Sequence, residues 1–339
     1  MKPFTQLFSL LLVALAALSR ADAQTTAVAP PLPVRTQVVQ LQKGWNAVWL
    51  EVEPLAGKPD EVFKDTGVDI VARYLLPVTS AQFITDPLDT PWNQPGWGVW
   101  YAPHRRDAFI RSLHHIEGNA AYLLHATRDM QWSVEGTVTF RRMKWTHNTF
   151  TLAGFSLDPV NPPTFGSFFA STEGRIGQTV YRLTEGRWAK LSNAAATPMR
   201  PGEACWIFCN GQTDFQGPLD VRLPGMEVLD FSEDSSVQTV KYVNASGSRA
   251  PLVLELAAAG STAVGGLKLH QDTADLSTLT KKSTVLTGSS TLPELDAGFA
   301  RQLRLSVDRS TMTASAQTAL LSLTCGGQRI WIPARATKP

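Results

Sequence analysis

The densest group of residues that could do chemistry is an aromatic run between positions 91 and 101. It reads Pro-Trp-Asn-Gln-Pro-Gly-Trp-Gly-Val-Trp-Tyr. Tryptophan faces that proline and glycine hold on a loop can stack on sugar rings or grip proline-rich peptides, because a rigid ring offers contact area at little entropic cost. We therefore predict a ligand-binding surface made of these aromatic side chains and their polar neighbours: Trp92, Asn93, Gln94, Trp97, Trp100, Tyr101 and Asp89.

The same run also fits the core of a sheet. Trp97 or Val99 can alternate with Tyr101 into a core, while Trp100 covers a sheet edge. The sequence favours this interpretation for most of the run. Trp92 lies beside prolines and outside the alternating pattern, so we expect it to be the most exposed of these tryptophans.

A group of histidines next to the aromatic run is the nearest approach to a metal site. His104, Asp107, His114 and His115 have ligand-type side chains. Adjacent histidines point to opposite faces of a strand or about 100° apart on a helix, so only one of His114 and His115 could join His104. We predict no metal and no other cofactor.

Three carboxylates are candidates for hydrolytic chemistry, since glycosidases need two such groups a few ångströms apart. These are Glu51, Glu53 and Asp158, with the loop that carries Asp86 and Asp89 as a second source. Glu53 and Asp158 both precede a proline, which favours a turn-stabilising role. No nucleophile elbow, His-Glu-x-x-His or glycine-rich phosphate motif occurs in the sequence. We predict no catalytic residue.

The three cysteines are Cys205, Cys209 and Cys325. The first two lie four positions apart in a strand-like run, which separates them by roughly 13 Å, too far for a disulfide. We expect small buried hydrophobic side chains. A bridge from one of them to Cys325 stays open, and the odd count leaves at least one thiol unpaired.

The N-terminal 23 residues have the pattern of a secretory signal peptide. Lys2 precedes an apolar run from Leu7 to Leu18, and Ala21-Asp22-Ala23 supplies a cleavage site before Gln24. The apolar run is shorter than the ~20 residues that a membrane-spanning helix needs. We expect export from a bacterial-type cytoplasm to the periplasm, the cell surface or the medium, with no membrane span in the mature chain.

The chain beyond the leader divides by pattern and composition. A proline-rich spacer covers 24–35, and two diverged β-rich repeat units follow at 36–145 and 146–224. Both units contain a strand that ends in an acidic residue and proline, at Glu53-Pro54 and Asp158-Pro159. A short helix follows each corner, over Pro59 to Lys64 and Thr164 to Ala170, and unit 1 carries a Trp-rich insertion at 77–101.

The region 225–339 has a different pattern. Between Gln24 and Pro224 there are 24 aromatic residues, and only four follow Gly225. Six or seven short runs in this region alternate apolar and polar residues, and Gly-rich turns separate several of them. This pattern predicts an immunoglobulin-like β-sandwich, and the fold class is therefore mainly β, with two repeat units before the sandwich.

A resemblance supports this division. The segments 299–308 and 320–333 resemble the immunoglobulin-like modules at the ends of exported bacterial proteins. The repeat units, which open with Trp45-Asn46 and reach Glu53-Pro54 or Asp158-Pro159, are similar to segments of uncharacterised, secreted, multidomain bacterial surface proteins. The likeness covers most of the mature chain. It implies a fold and a surface role, and it transfers no active site.

Charge and composition narrow the function. The net charge is only +2, and the sequence shows no clustered basic face of the kind that nucleic acids require. We therefore predict no nucleic-acid partner. We predict a non-catalytic, extracytoplasmic binding or structural protein that recognises an envelope glycan or surface protein through the aromatic loop. The alternatives are a secreted glycan hydrolase that uses paired carboxylates and an export or assembly accessory protein, which would offer an open edge strand.

Overall fold

The computed structural model describes residues 31–75, 92–93, 96–257, 266–275 and 280–338. These residues form 21 β-strands, two one-turn α-helices and a few 3-10 turns. The mainly β fold class predicted from the alternating patterns is confirmed. The predicted signal peptide lies outside the described residues. No helix in the described ranges has the length and apolar character that crossing a bilayer requires.

Unit 1 combines a four-stranded and a three-stranded antiparallel sheet, with strand orders β2-β6-β4-β5 and β1-β7-β3. The strands and helix are β1 (Val34–Leu41), β2 (Gly44–Leu50), β3 (Glu53–Pro54), α1 (Pro59–Val62), β4 (Val68–Tyr74), β5 (Trp97–Tyr101), β6 (Ala120–Ala126) and β7 (Met130–Thr137). Alternate burial along β1 and β7 marks the face that packs on the unit's core.

Unit 2 forms one four-stranded antiparallel sheet with the order β8-β11-β9-β10. Its elements are β8 (Thr149–Ala153), α2 (Phe165–Phe168), β9 (Ile176–Thr184), β10 (Arg187–Lys190) and β11 (Cys205–Cys209). The single turn of α2 begins with a capping box, in which Thr164 and Ser167 satisfy each other's backbone N–H groups. Unit 1 starts its helix differently, with Pro59 in the first turn and two acidic residues after it.

The two four-stranded sheets have the same topology. In each, the fourth strand along the chain lies between the first and the second, the third lies at the edge, and the short helix follows the first strand. This shared order is what a duplicated unit produces. The prediction of two diverged repeat units, each with a short helix, is confirmed.

The C-terminal region is a β-sandwich of two five-stranded sheets, ordered β12-β14-β19-β16-β17 and β13-β21-β20-β15-β18. Its strands are β12 (Leu219–Arg222), β13 (Leu229–Phe231), β14 (Val237–Asn244), β15 (Ala250–Leu256), β16 (Leu269–Asp275), β17 (Thr280–Val285), β18 (Ser289–Leu295), β19 (Ala300–Val307), β20 (Ala316–Cys325) and β21 (Gln328–Thr337). The neighbours β15, β20 and β21 correspond to the C, F and G strands of an immunoglobulin-like sandwich.

Two predicted boundaries need correction. The strand β12 falls in the part assigned to unit 2, yet it pairs with β14 of the sandwich, so the sandwich begins at Leu219. The drop in aromatic residues was placed at Pro224-Gly225. This turn lies between β12 and β13, after the first strand of the sandwich. At the other end, Val34 and Arg35 were predicted as spacer, and they pair with β7 as the start of β1.

The sheets of units 1 and 2 pack face to face through aromatic side chains. Trp206 of β11 is fully buried. Its ring lies 5.2 Å from that of Tyr74, 6.3 Å from Trp97 and 6.1 Å from Trp188, centroid to centroid. These edge-to-face contacts account for much of the aromatic richness of the first two units, because each ring removes a large apolar area from water.

Backbone hydrogen bonds join the units as well. The edge strand β2 bonds to the segment before β11, through Trp49 N to Gly202 O (2.8 Å) and Ala204 N to Ala47 O (3.1 Å). Gly154 lies against this junction, and a Cβ there would be 2.4 Å from the Cβ of Trp49. The contact between the units therefore depends on a position without a side chain.

The sandwich docks on unit 2 through the turn between β20 and β21. Asp158 N donates to Gly327 O (2.9 Å), and Arg329 N donates to Ser156 O (3.0 Å). Gly327 has φ of +77°, and a Cβ would lie 2.7 Å from Cδ of Pro163. Glycine is required here for both reasons.

All three cysteines are free and buried. The disulfide to Cys325 that the sequence left open is not formed, because Cys205 and Cys209 pack in the core of unit 2 and Cys325 packs in the sandwich. Burial raises the pKa of the Cys205 thiol to about 12 and that of Cys325 to about 11. These thiols are small apolar side chains and not nucleophiles.

We expect Gly154→Ala to lower the free energy of unfolding by about 2 kcal/mol or more, because the methyl group overlaps Trp49 and the carbonyl oxygen of Glu203, 2.6 Å away. Urea denaturation checks this. Gly247→Ala is the matched control, since its Cβ would make an ordinary 3.6 Å contact with Ala170. Equal stabilities of the two variants would contradict close packing between the units.

Candidate functional site

Three of the predicted ligand-binding residues belong to the core. Trp97, Trp100 and Tyr101 form part of β5, with exposures of 7%, 2% and 6%. Trp100 donates its indole N–H to Asp60 (2.8 Å) and packs on Phe63. The binding role predicted for these three residues is corrected, because both faces of β5 are covered and a ligand would have to displace core contacts to reach them.

Trp92 and Asn93 remain at the surface. Trp92 is half-buried and Asn93 is exposed, as expected for the residue outside the alternating run. The Trp92 ring lies 5.0 Å from that of Trp45 and 6.2 Å from that of Tyr101. Two other predicted residues, Asp89 and Gln94, lie outside the described residues. Of the predicted ligand-binding residues, the structure therefore leaves Trp92 and Asn93 accessible, with Trp45 packed beside Trp92.

A polar group beneath this surface holds Trp45. The indole of Trp45 packs edge-on against the ring of His125, 5.2 Å away. His125 Nδ1 lies 2.5 Å from Asp69, and Arg105 Nη1 donates to the same carboxylate at 2.7 Å. Arg105 also binds Asp107, and this hydrogen bond raises the pKa of Arg105 and lowers that of Asp107.

Sequence reasoning missed this polar group. Trp45 was noted only as a landmark of the repeat, and Asp69, His125 and Arg105 lie on different elements. A register shift between Val68 and Ile70 in the pairing of β4 with β6 places Asp69 in a bulge. Bulges redirect side chains, and no spacing in the sequence announces them.

The candidate carboxylates have separate partners. Glu53 accepts hydrogen bonds from Gly118 N (3.1 Å) and lies 3.2 Å from His115 Nε2. Asp158 accepts from Val160 N two residues later (3.0 Å), as an Asx-turn residue does. Both therefore stabilise chain corners, as their place before a proline indicates. The predicted alternative of a facing acid and base has no geometric support in Glu51, Glu53 and Asp158.

Glu51 lies where unit 1, unit 2 and the sandwich meet. One carboxylate oxygen, Oε2, pairs with the guanidinium of Arg35 and accepts hydrogen bonds from Ser156 Oγ (3.1 Å) and Trp331 Nε1 (3.2 Å). The Arg35 guanidinium also stacks over the Trp331 ring at 4.6 Å. Burial lowers the pKa of Arg35, while the Glu51 charge opposes that shift. The pair is largely shielded from water and is accordingly sensitive to loss of either partner.

A cleft of about 460 Å³ opens beside Glu51 between the three parts of the chain. Trp49 of unit 1, Leu152 of unit 2 and Trp331 of the sandwich all contribute to its walls. Its volume lies within the range of small-molecule pockets. Sequence reasoning missed this cleft, because its walls come from strands far apart in the chain.

The histidine group does not converge. His115 faces Glu53, and Asp107 pairs with Arg105. Across the residues that the structure describes, no three His, Cys, Asp or Glu side chains are arranged to hold a metal ion.

The outer strands of the sandwich bear on the assembly-accessory alternative. The exposed strand β17 carries Lys281 and Lys282, and β18 carries Pro293. Lysine and proline on an edge strand discourage pairing with another chain. Neither strand is the bare apolar edge that strand addition favours.

The similar proteins that comparison finds are solved structures with low sequence identity and low TM-scores. No protein-family model and no curated protein sequence matches the chain. Among solved structures, a FixG-related protein from Vibrio parahaemolyticus is similar, with 15% identity, coverage of 36% of this chain and 96% of that chain, and a TM-score of 0.23. The CsuC-CsuE chaperone-tip adhesion subunit complex of Acinetobacter baumannii has 11% identity, coverage of 35% and 57%, and a TM-score of 0.21.

A third similar structure spans more of the chain. The Enterococcus faecalis MSCRAMM ACE, described as binding its ligands by the collagen Hug model, covers 90% of this chain and 84% of its own, with 7% identity and a TM-score of 0.20. At these identities and TM-scores, the similarities carry no inference about what this chain binds.

We expect Glu51→Gln to lower the free energy of unfolding by about 3 kcal/mol, because it leaves the buried Arg35 guanidinium without a counter-charge. Urea denaturation measures the change. Glu61→Gln is the control: Glu61 is 53% exposed in a 3.6 Å ion pair with Lys58, so its loss should cost less than about 0.5 kcal/mol. A Glu51 variant as stable as this control would show that the three-part junction contributes little.

Proposed function

We propose that this protein is an exported, non-catalytic binding protein that recognises an envelope glycan through the surface formed by Trp92, Asn93 and Trp45. The observation that carries the proposal is the pair of half-buried indoles, 5.0 Å apart, next to the exposed Asn93 amide. An aromatic face beside a hydrogen-bonding group is the arrangement that orients a sugar ring.

The surface is supported from below. Trp45 belongs to β2 and is braced by His125, which lies against Asp69. A platform held by packing and hydrogen bonds loses little side-chain entropy when a ligand binds. This rigidity favours recognition by stacking over a loop that must order itself on binding.

Export is part of the proposal and follows from the leader pattern of residues 1–23. Glycan recognition is favoured over the hydrolase alternative, because the candidate carboxylates that the structure describes, Glu51, Glu53 and Asp158, each bind other groups of the fold. Asp86 and Asp89 lie outside the described residues. The exposed Asn93 and the flat ring of Trp92 suit a polar, ring-shaped ligand. A surface protein is the other partner class, and the test below separates the two.

We expect Trp92→Ala to weaken binding on a glycan array by about tenfold or more, because a central stacked tryptophan commonly contributes ~2 kcal/mol. Phe299→Ala is the control, since Phe299 is 62% exposed on the sandwich, in another part of the chain. Its binding should match the wild type.

Two results would contradict the proposal. One is a wild-type protein that binds no glycan on the array, and the other is a Trp92 variant that binds as well as the Phe299 control. A parallel pull-down from envelope extract that retains a protein, lost with Trp92→Ala, would assign the surface to a protein partner instead.

A further inference from the structure

The cleft beside Glu51 has an unusual charge distribution. Five cationic residues line it: Arg73, Arg141, Arg142, Lys144 and Arg329. Glu51 is the single acidic residue among those that line it. A concave, partly desolvated surface with one sign of charge concentrates ligands of the opposite sign.

The carboxylates that balance these cations stand outside the lining. Glu117 pairs with Arg73 at 2.9 Å, and Asp220 pairs with Arg142. The hydrogen bond from the Arg73 guanidinium lowers the pKa of Glu117. The acidic groups thus anchor and orient the arginine side chains from behind, as supporting residues do around binding sites.

Glu51 does not cancel the cationic character of the cleft. Its charge is balanced by Arg35, which is not among the lining residues, and the same oxygen accepts from Ser156 and Trp331. A carboxylate with these donors presents little negative charge to an incoming ligand.

Arg141 is the cation best placed for a ligand. Its side chain is 40% exposed, and its closest carboxylates, on Glu53, Glu117 and Glu227, are each 3.9 Å away. Within the described part of the chain, its guanidinium forms no hydrogen bond of ordinary length. Each guanidinium nitrogen thus makes only a long ion pair, and a ligand carboxylate that binds in bidentate fashion would replace these contacts with short hydrogen bonds.

The apolar walls indicate the rest of the ligand. Tyr74 and Trp331 line the cleft and are half-buried, and the 460 Å³ volume suits one or two sugar rings. We propose that this cleft binds an acidic saccharide of one or two rings whose carboxylate pairs with Arg141. This site is separate from the Trp92 surface and does not depend on the proposed function.

Titration calorimetry with glucuronate, digalacturonate and N-acetylneuraminate, each against a neutral counterpart, tests the proposal on the purified full-length protein. We expect at least one acid to bind and its neutral counterpart not to bind. Arg141→Gln should weaken that binding about tenfold or more, because a charge-assisted hydrogen-bonded pair is lost. Arg141→Lys should retain an intermediate affinity.

Two controls separate this site from other causes. Arg249→Gln removes an exposed arginine that pairs with Glu294 and Asp296 on the sandwich, and the affinity should not change. Trp92→Ala separates the two proposed sites, since a loss of affinity for the acid in this variant would place the acid at the Trp92 surface and overturn the proposal.

The proposal is overturned if none of the three acids binds, if Arg141→Gln binds like the Arg249 control, or if the neutral sugars bind equally well. Inorganic sulfate that binds where the acids do not would also overturn it. The melting temperature of each variant, measured without ligand, shows whether a lost affinity comes from unfolding.

Discussion

The Glu51 carboxylate joins three parts of the chain that the sequence keeps far apart. Its partners Arg35, Ser156 and Trp331 lie 16, 105 and 280 positions away. A largely buried carboxylate is costly unless donors surround it, so each part of the chain must be in place before the charge is satisfied. This requirement holds the sandwich and the two repeat units in one arrangement and shapes the cleft between them.

The rest of the architecture follows from duplication. Two sheets of the same strand order present aromatic faces to each other, and Trp206 fills the space between them. Trp97 and Trp206 are buried between these faces, and Trp100 and Trp132 are buried in the core of unit 1. The proposed glycan surface, Trp92 with Trp45, lies at the margin of this aromatic cluster, and the proposed acidic-saccharide site is the cleft beside the sandwich.

The sequence predicted what depends on local pattern. The alternation of apolar and polar residues predicted the strands. The two corners at Glu53-Pro54 and Asp158-Pro159 indicated the duplicated units with their one-turn helices. The alternation in β5 also favoured burial of Trp97 and Tyr101. The first strand of the sandwich was misassigned, because the partner of Leu219–Arg222 is β14 and composition does not reveal pairing.

The sites were harder to predict, for a physical reason. Glu51 was one of three candidate carboxylates in the sequence, because its neighbours in sequence do not indicate its contacts with Arg35 and Trp331. The Asp69 bulge and the cationic cleft arise from strand register and from contacts between separate sheets. Such features depend on which elements meet, and a single sequence specifies that only through the whole fold.

A double-mutant cycle between Glu51→Gln and Trp331→Phe, measured by urea denaturation, tests most directly whether unit 1 and the sandwich are coupled through this carboxylate. The structure predicts one cooperative transition and a coupling energy of at least about 0.5 kcal/mol between the two changes. Separate unfolding transitions, or effects that add within about 0.3 kcal/mol, would contradict the account.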